Sequence, residues 1–370
     1  MTMRPRRTDG GAGRSWPGGS ALARRVARGV KSLFPGYFAL VMATGIISVA
    51  SHMLGIEWAA LILLYANLLF FGVLSLLFLA RLVFFFPEVL ADLREPLRGP
   101  GFFTLVAGTC VLGSQLLVVA HQRGAAKVLW FLGIGLWIVV MYSFFTAIIS
   151  RPEKPSLEKG ISGAWLIASV ATQAVSVLGT LLGAEFATGR EVTFFFSLVM
   201  YLLGSMLYLN IITLIFYRFT FLHLTTEKLS PSYWINMGAV AITTLAGATL
   251  IMESGEWAFL AMLRPFLVGF TLFFWATGTW WIPLLVILGV WRHVIHRFPL
   301  TYDPHFWAGV FPLGMYTVAT LRLSHATELA FLEVIPRYFI YVDYFAWLVA
   351  FAGLARAVWR LLTGSAQPAI

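Results

Sequence analysis

The sequence predicts an all-α polytopic membrane protein: ten transmembrane helices form five tandem helical hairpins, with the odd helices as an inner pore-like ring and the even helices as an outer layer. Three observations carry this. The 370 residues are 59% hydrophobic and 11% charged, with a mean hydropathy of +0.84, whereas a soluble domain carries about a quarter charged residues. Ten apolar segments are each long enough for a helix to cross a bilayer, which takes about 17 to 25 residues. The segments also alternate in kind. The first of each pair is short and threaded with Gly, Ser, Thr or Asn; the second is longer and nearly all aliphatic or aromatic. Hydroxyls and glycines in a membrane helix mark a face that meets another helix or water.

In order, the expected spans are 34–53, 58–86, 102–120, 125–150, 162–183, 192–217, 232–252, 258–291, 306–322 and 335–361. Together they make one domain over 34–362, preceded by a basic tail at 1–33 and followed by a short tail at 363–370. The first spans of the pairs recur every 60 to 75 residues or so, with little residue-level similarity between copies, so the repeat is architectural. Residues 1–19 are rich in Gly and Arg and read as disordered. From 20 to 33, Leu22, Val26, Val30 and Leu33 recur at helical spacing while Arg24, Arg25, Arg28 and Lys31 take other faces. That pattern suits either a helix lying on an anionic membrane surface or a solvated basic tail. No short apolar core with a small-residue cleavage site precedes the first span, so no signal peptide is expected.

Basic residues resist translocation, and 20 of the 26 Lys and Arg fall on one side of the predicted spans while the acidic residues divide evenly. Both termini are therefore expected in the cytoplasm, for a multi-pass protein of the plasma or bacterial inner membrane. The net charge of +10 is a topology signal, and no basic domain supports nucleic-acid binding. The single Cys110 lies within the third span, which excludes an intrachain disulfide.

The odd spans carry polar stripes. In the first, Thr44, Ser48 and Ser51 share a face beside Gly45; in the third, Thr109 pairs with Gly113 and Gly108 with Gln115. The fifth places Ser169, Thr172, Ser176 and Thr180 on one face, and the seventh Asn236, Thr243 and Gly247. Two readings stand for any single residue: close helix packing with hydroxyls bonded to their own helix, or the lining of an enclosed conduit. The same pattern in all the odd spans favours the conduit. In the ninth span Pro312 falls mid-membrane, where it removes a backbone donor and predicts a kink. Phe311 beside it is large enough to close a narrow path; by spacing alone it also fits ordinary packing.

Three runs carry a resemblance: Phe34-Pro35-Gly36-Tyr37-Phe38-Ala39-Leu40-Val41-Met42-Ala43-Thr44-Gly45-Ile46-Ile47-Ser48, Tyr233-Trp234-Ile235-Asn236-Met237-Gly238 and Trp307-Ala308-Gly309-Val310-Phe311-Pro312-Leu313-Gly314. Over about residues 34–362 the chain resembles the tellurite-resistance and C4-dicarboxylate transporter family, to which plant slow-type anion channels and fungal malate and sulfite transporters also belong. The resemblance implies five tandem hairpins, odd helices around a central pore, and three protomers side by side. It also implies that Phe311 occludes the pore, with Gly45 against it. The basic N-terminal tail lies outside the resembling region.

The function expected is an anion channel or channel-like transporter for small anions, with the stripe residues and Gly314 lining the path and Phe311 with Pro312 as the gate. Hydroxyl donors, freed backbone N–H groups and a basic mouth at Arg292, Arg297, Lys154 and Lys159 can favour an anion without a deep fixed charge; the same basic residues also serve topology. A proton-linked dicarboxylate or sulfite carrier is the alternative, and it needs a titratable relay. Asp343, the one acid well inside a span, sits on the apolar tenth segment and is expected to pair with Arg337 or Arg264. No enzyme, cofactor or metal is expected. His293 and His296 lack further ligands, and no phosphate-binding Gly-Lys-Ser/Thr loop occurs.

Overall fold

The computed structural model describes residues 21–186 and 188–363, and among these every regular element is helical. The Gly-rich run at 1–19 and the tail beyond 363 lie outside the described residues. An amphipathic helix α1 (Ala21–Lys31) precedes the hairpins. The first joins α2 (Ala39–Met53) to α3 (Glu57–Phe84), with Gly55 at φ +77° in the tight turn between them. A short α4 (Phe86–Arg94), started by Pro87, leads to α5 (Phe103–Val118) and α6 (Arg123–Ile149). The single turn α7 (Leu157–Gly160) precedes α8 (Ile167–Gly183) and α9 (Arg190–Phe221). The fourth hairpin pairs α10 (Ile235–Met252) with α12 (Arg264–Val290) across α11 (Ala258–Met262), and the fifth pairs α13 (Phe306–Thr327) with α14 (Val334–Thr363).

Contacts close these hairpins into two concentric layers. Each of α2, α5, α8, α10 and α13 packs on the next, and α13 returns to α2, so the inner ring is complete. Each outer helix packs on its own inner partner and also touches the inner helix of the following hairpin. Burial follows: over their most apolar stretch, α2, α5, α8 and α10 are 78% to 94% buried, against 17% to 44% for the outer helices. The outer surface is a continuous field of exposed Leu, Val, Phe and Trp, as a lipid-facing layer requires.

Nine helices among the described residues are long and apolar enough to cross a membrane. The ninth predicted span, α13, is not among them, because Trp307, Pro312, Tyr316, its threonines and Arg322 dilute its apolarity. It is nonetheless buried along its length and runs unbroken through Pro312. The predicted eighth span is divided: α11 ends at Met262 and α12 starts at Arg264, with Pro265 in its first turn, where proline's missing donor is harmless.

Both described ends of the chain lie on one face, which we call proximal. There α1 packs against α3 and α14, Arg25 donates to the Leu362 carbonyl at 3.2 Å, and Lys31 pairs with Glu88. All five inner helices start at this face and end at the opposite, distal one.

Candidate functional site

Each inner helix begins with a tight turn of i→i+3 bonds, and the residue at its N-cap makes no side-chain capping bond. Four are 3-10 turns, Pro35–Phe38, Gly99–Phe102, Gly163–Leu166 and Pro231–Trp234; the fifth is a turn over Asp303–Trp307. Proline and glycine explain the geometry. Proline fixes φ at the start of a helix, and the glycines let neighbouring turns touch backbone to backbone: a Cβ on Gly101 would lie 2.7 Å from the Gly36 nitrogen, and one on Gly163 2.7 Å from the Tyr233 Cα. Five helix N-termini thus converge on one opening.

That opening is a small proximal cavity of about 10 Å³ lined by Gly36, Gly101, Ala164, Ser232 and His305, one residue per inner helix. Three positions further on, Ala39, Thr104, Ile167 and Ala308 complete it. The same register continues along the axis. Ten positions on stand Ile46, Val111, Ala174, Ile242 and Met315, and thirteen on stand Val49, Ser114, Val177, Leu245 and Val318. Seventeen on come Val118, Leu181, Thr249 and Arg322, and these three tiers line a distal cavity of about 30 Å³. Such spacings keep one helical face toward the axis. At roughly 10–15 Å³ per water, the distal cavity has room for about two.

Between the cavities lies the tier six positions on: Met42, Ala107, Val170, Gly238 and Phe311. These residues line neither cavity and all are buried. Phe311 is 1% exposed and the bulkiest of the five. Along the axis the fifth hairpin supplies the odd member: His305 proximally, Phe311 in the buried tier between the cavities and Arg322 distally.

The polar stripes turn away from this axis, which corrects the expectation that they line it. Ser48 donates to the Ala60 carbonyl of α3, Ser169 and Ser176 to the Gly204 and Ser197 carbonyls of α9, and Thr172 accepts from Trp137 of α6. Thr44 accepts from Trp347 of α14, while Thr109 and Thr243 bond back to Leu105 and Ala239 on their own helices. The glycines sit in seams: Gly45 against Val111, Asn67 and Gln115, Gly113 against Leu178 and Leu129, Gly247 against Thr271 and Tyr201, and Gly314 against Ile46 and Ile47. Asn236 is buried with both side-chain amide atoms unpartnered, while its backbone carbonyl accepts from the Tyr208 hydroxyl of α9. Bonds of this kind contribute about 0.6 kcal/mol each on average inside a membrane, so the stripes join the inner ring to its outer layer.

Asp343 is also placed differently from the sequence expectation. Its Oδ2 accepts from Thr317 of α13 at 2.6 Å and its Oδ1 has no partner. Arg337 instead bonds Glu333, and Arg264 reaches the Ala326 carbonyl. Two of the four basic residues expected at the mouth are engaged: Lys154 caps the Ile148 and Ile149 carbonyls, and Arg292 donates to Leu229 and lies over the Phe298 ring. His293 bonds the Phe298 carbonyl and His296 packs on Trp291.

Two charged groups frame the axis. Proximally, Asp303 accepts from the His305 backbone at 2.7 Å and from its ring. Burial pushes the Asp303 carboxyl up, but these hydrogen bonds and the nearby charges of His305 and Arg292 outweigh it and leave the group below its ordinary value. Distally, Glu253 follows α10. Burial first, then the charge of Glu256, raises its carboxyl, and Arg322 acts the other way.

Sequence reasoning missed the axial tiers and Arg322, though a signal existed. Pro35-Gly36-Tyr37-Phe38, Pro100-Gly101-Phe102-Phe103, Gly163-Ala164-Trp165, Pro231-Ser232-Tyr233-Trp234 and Pro304-His305-Phe306-Trp307 are one recurring Pro/Gly–aromatic start. Aligning the hairpins on it gives the axial register within one residue.

Residues 32–355 match the family described as voltage-dependent anion channel. The chain belongs to this family. Over 332 residues it is 26% identical to an uncharacterized transporter of Methanocaldococcus jannaschii, covering 86% of this chain and 92% of the relative. A 148-residue stretch, 40% of this chain and 75% of the relative, is 38% identical to an uncharacterized membrane protein of Mycobacterium tuberculosis. A sulfite efflux pump of Arthroderma benhamiae is 23% identical over 356 residues, 87% of this chain and 90% of the pump. Anion channels and transporters are the class in which this voltage-dependent anion channel relative falls, and its double layer of apolar helices is a multi-pass membrane architecture.

Proposed function

We propose that this chain passes small anions through the axial path, and that Phe311 beside Pro312 closes it. The observation that carries the reading is the register: five inner helices contribute matched tiers to two cavities, and the one tier between them holds Phe311. An aromatic side chain filling a narrow apolar waist excludes water and ions together. Preference for anions is supported by the five inner-helix N-termini around the proximal opening, each equivalent to roughly half a positive charge. The substrate class is small oxyanions, halides or C4-dicarboxylates; the resemblance to a sulfite efflux pump puts sulfite among the first to try, with nitrate, chloride, tellurite and malate beside it. In this reading α13 is the tenth crossing, the proximal face is cytoplasmic, the membrane is the plasma or bacterial inner membrane, and three protomers assemble side by side in lipid.

Recording from purified protein in planar bilayers tests the gate. Phe311→Ala is expected to raise anion current at least about tenfold over wild type, equivalent to about 1.4 kcal/mol off the barrier. A proton-linked carrier is the second reading, favoured by Asp343, the one carboxylate among the fully buried side chains of the described residues. No current from either protein, together with saturable proton-linked uptake that Asp343→Asn abolishes, would replace the channel with the carrier.

A further inference from the structure

The distal end of the path holds a half-buried cation, Arg322, whose surroundings differ from those of the buried Arg81, Arg218 and Arg292. Arg81 pairs with Asp92 at 2.7 Å, Arg218 donates to the Ile161 carbonyl and Tyr233 hydroxyl, and Arg292 donates to the Leu229 carbonyl. Although Nη1 of Arg81 and Nε of Arg218 and Arg292 have no partner, each thereby gives some of its N–H groups a protein oxygen, as a desolvated guanidinium requires. Arg322 has none of these. It lies four, seven and eleven positions after Val318, Met315 and Phe311, on the same helical face, and it lines the distal cavity together with Val118, Leu181, Leu245 and Thr249. Among the described residues its one hydrogen-bond contact is weak, Nη1 to the Met252 sulfur at 3.5 Å. No ion pair among the described residues includes it. Glu253 is the charged group that acts on it, from beyond ion-pair distance, and Glu256 beside it is held by Arg190 at 2.7 Å.

We infer that Arg322 is an anion-binding residue at the distal end of the path, presenting its guanidinium fork to a small oxyanion. This rests on the anion-path reading above and adds a site to it. A guanidinium stays charged at any working pH and offers a planar pair of N–H donors that fits two oxygens of one oxyanion. The apolar walls at Val118, Leu181 and Leu245 lower the local dielectric and strengthen the attraction, while the absence of a tightly bonded carboxylate leaves the fork available. Glu253 competes electrostatically with the anion. Its removal and the removal of Arg322 therefore act in opposite directions.

The test uses the full chain, purified in detergent. Melting is followed with sodium nitrate or sodium sulfite against sodium gluconate at equal ionic strength, since a ligand that binds the folded state raises the melting temperature. Wild type is expected to gain stability with the small oxyanions, Arg322→Gln to lose that gain, Arg322→Lys to keep part of it, and Glu253→Gln to enlarge it. On a Phe311→Ala background, Arg322→Gln should raise the half-saturating nitrate concentration for current at the distal side by about tenfold. A wild-type protein that nitrate and sulfite leave unchanged overturns the inference, as do equal gains in wild type, Arg322→Lys and Glu253→Gln, a comparison that holds even if Arg322→Gln does not fold. Oxyanion stabilisation that depends on Arg322 in a protein whose Phe311→Ala form carries no current keeps the site and sinks the channel. Current that is indifferent to Arg322 keeps the channel and sinks the site.

Discussion

Asp343 and Thr317 tie the outermost helix of the fifth hairpin to the helix that carries Phe311. A carboxyl oxygen left without a partner in an apolar interior costs roughly 1–3 kcal/mol, so Oδ1 of Asp343 is a site where chemistry can be changed cheaply. Asparagine keeps an acceptor for Thr317 and removes the charge to be desolvated. Asp343→Asn should therefore melt at or above wild type, whereas Asp343→Ala strips Thr317 of its acceptor, opens a void and should lose about 1–3 kcal/mol. Melting curves in detergent decide it; an Asn variant less stable than the Ala variant would show that the charge itself is required. The wrong partner expected from sequence has a plain cause: Arg337 and Arg264 carry long side chains near helix ends, where they turn toward polar groups at the surface, while Asp343 lies deeper and finds a hydroxyl.

Among the inner helices, what was legible and what was not depends on how a residue type is used. Phe311 beside Pro312 stood out as a large aromatic next to a helix breaker, but spacing alone also fitted ordinary packing, and its expected role as a gate came from the family resemblance. The glycine and hydroxyl stripes were visible as stripes, but packing and a water-filled path ask for the same small polar residues, so their direction was not. The axial face escaped notice because it is mostly Ile, Val, Ala and Leu, indistinguishable by composition from a lipid-facing surface. Gly238 shows how tightly the tier of Phe311 is packed: a Cβ there would stand 2.6 Å from Cγ and 3.0 Å from Cβ of Pro312, atoms of a rigid ring. Gly238→Ala should push α13 from α10, lower stability by about 1–3 kcal/mol and raise resting anion current. Gly72→Ala on α3, where no atom lies within 4 Å of the new methyl, should be neutral or stabilising by up to about 1 kcal/mol. Equal melting of the two variants would contradict the tight α10–α13 seam.

For the molecule as a whole, the count of hairpins and the two-layer plan were readable from apolar length and alternation, because lipid imposes both. The sidedness rests on the basic-residue asymmetry and has its own test. Cys110 is fully buried, which gives a silent background for introduced thiols. Thr226→Cys stands before α10 on the proximal face and Gly255→Cys after it on the distal face. A membrane-impermeant maleimide applied to intact cells should label position 255 at once and position 226 only after permeabilisation; the reverse order would place the termini outside.

The closed inner ring has a last consequence for the order of the chain. Because α13 packs on α2 as α2 packs on α5, and because Arg25 at one end bonds Leu362 at the other, the ring has no structural first member. A chain permuted by one whole hairpin, with its present ends joined through a linker, would assemble the same circle of contacts. The individuality of the protein therefore resides in the single hairpin that places a histidine, a phenylalanine and an arginine where its four siblings place small or aliphatic residues.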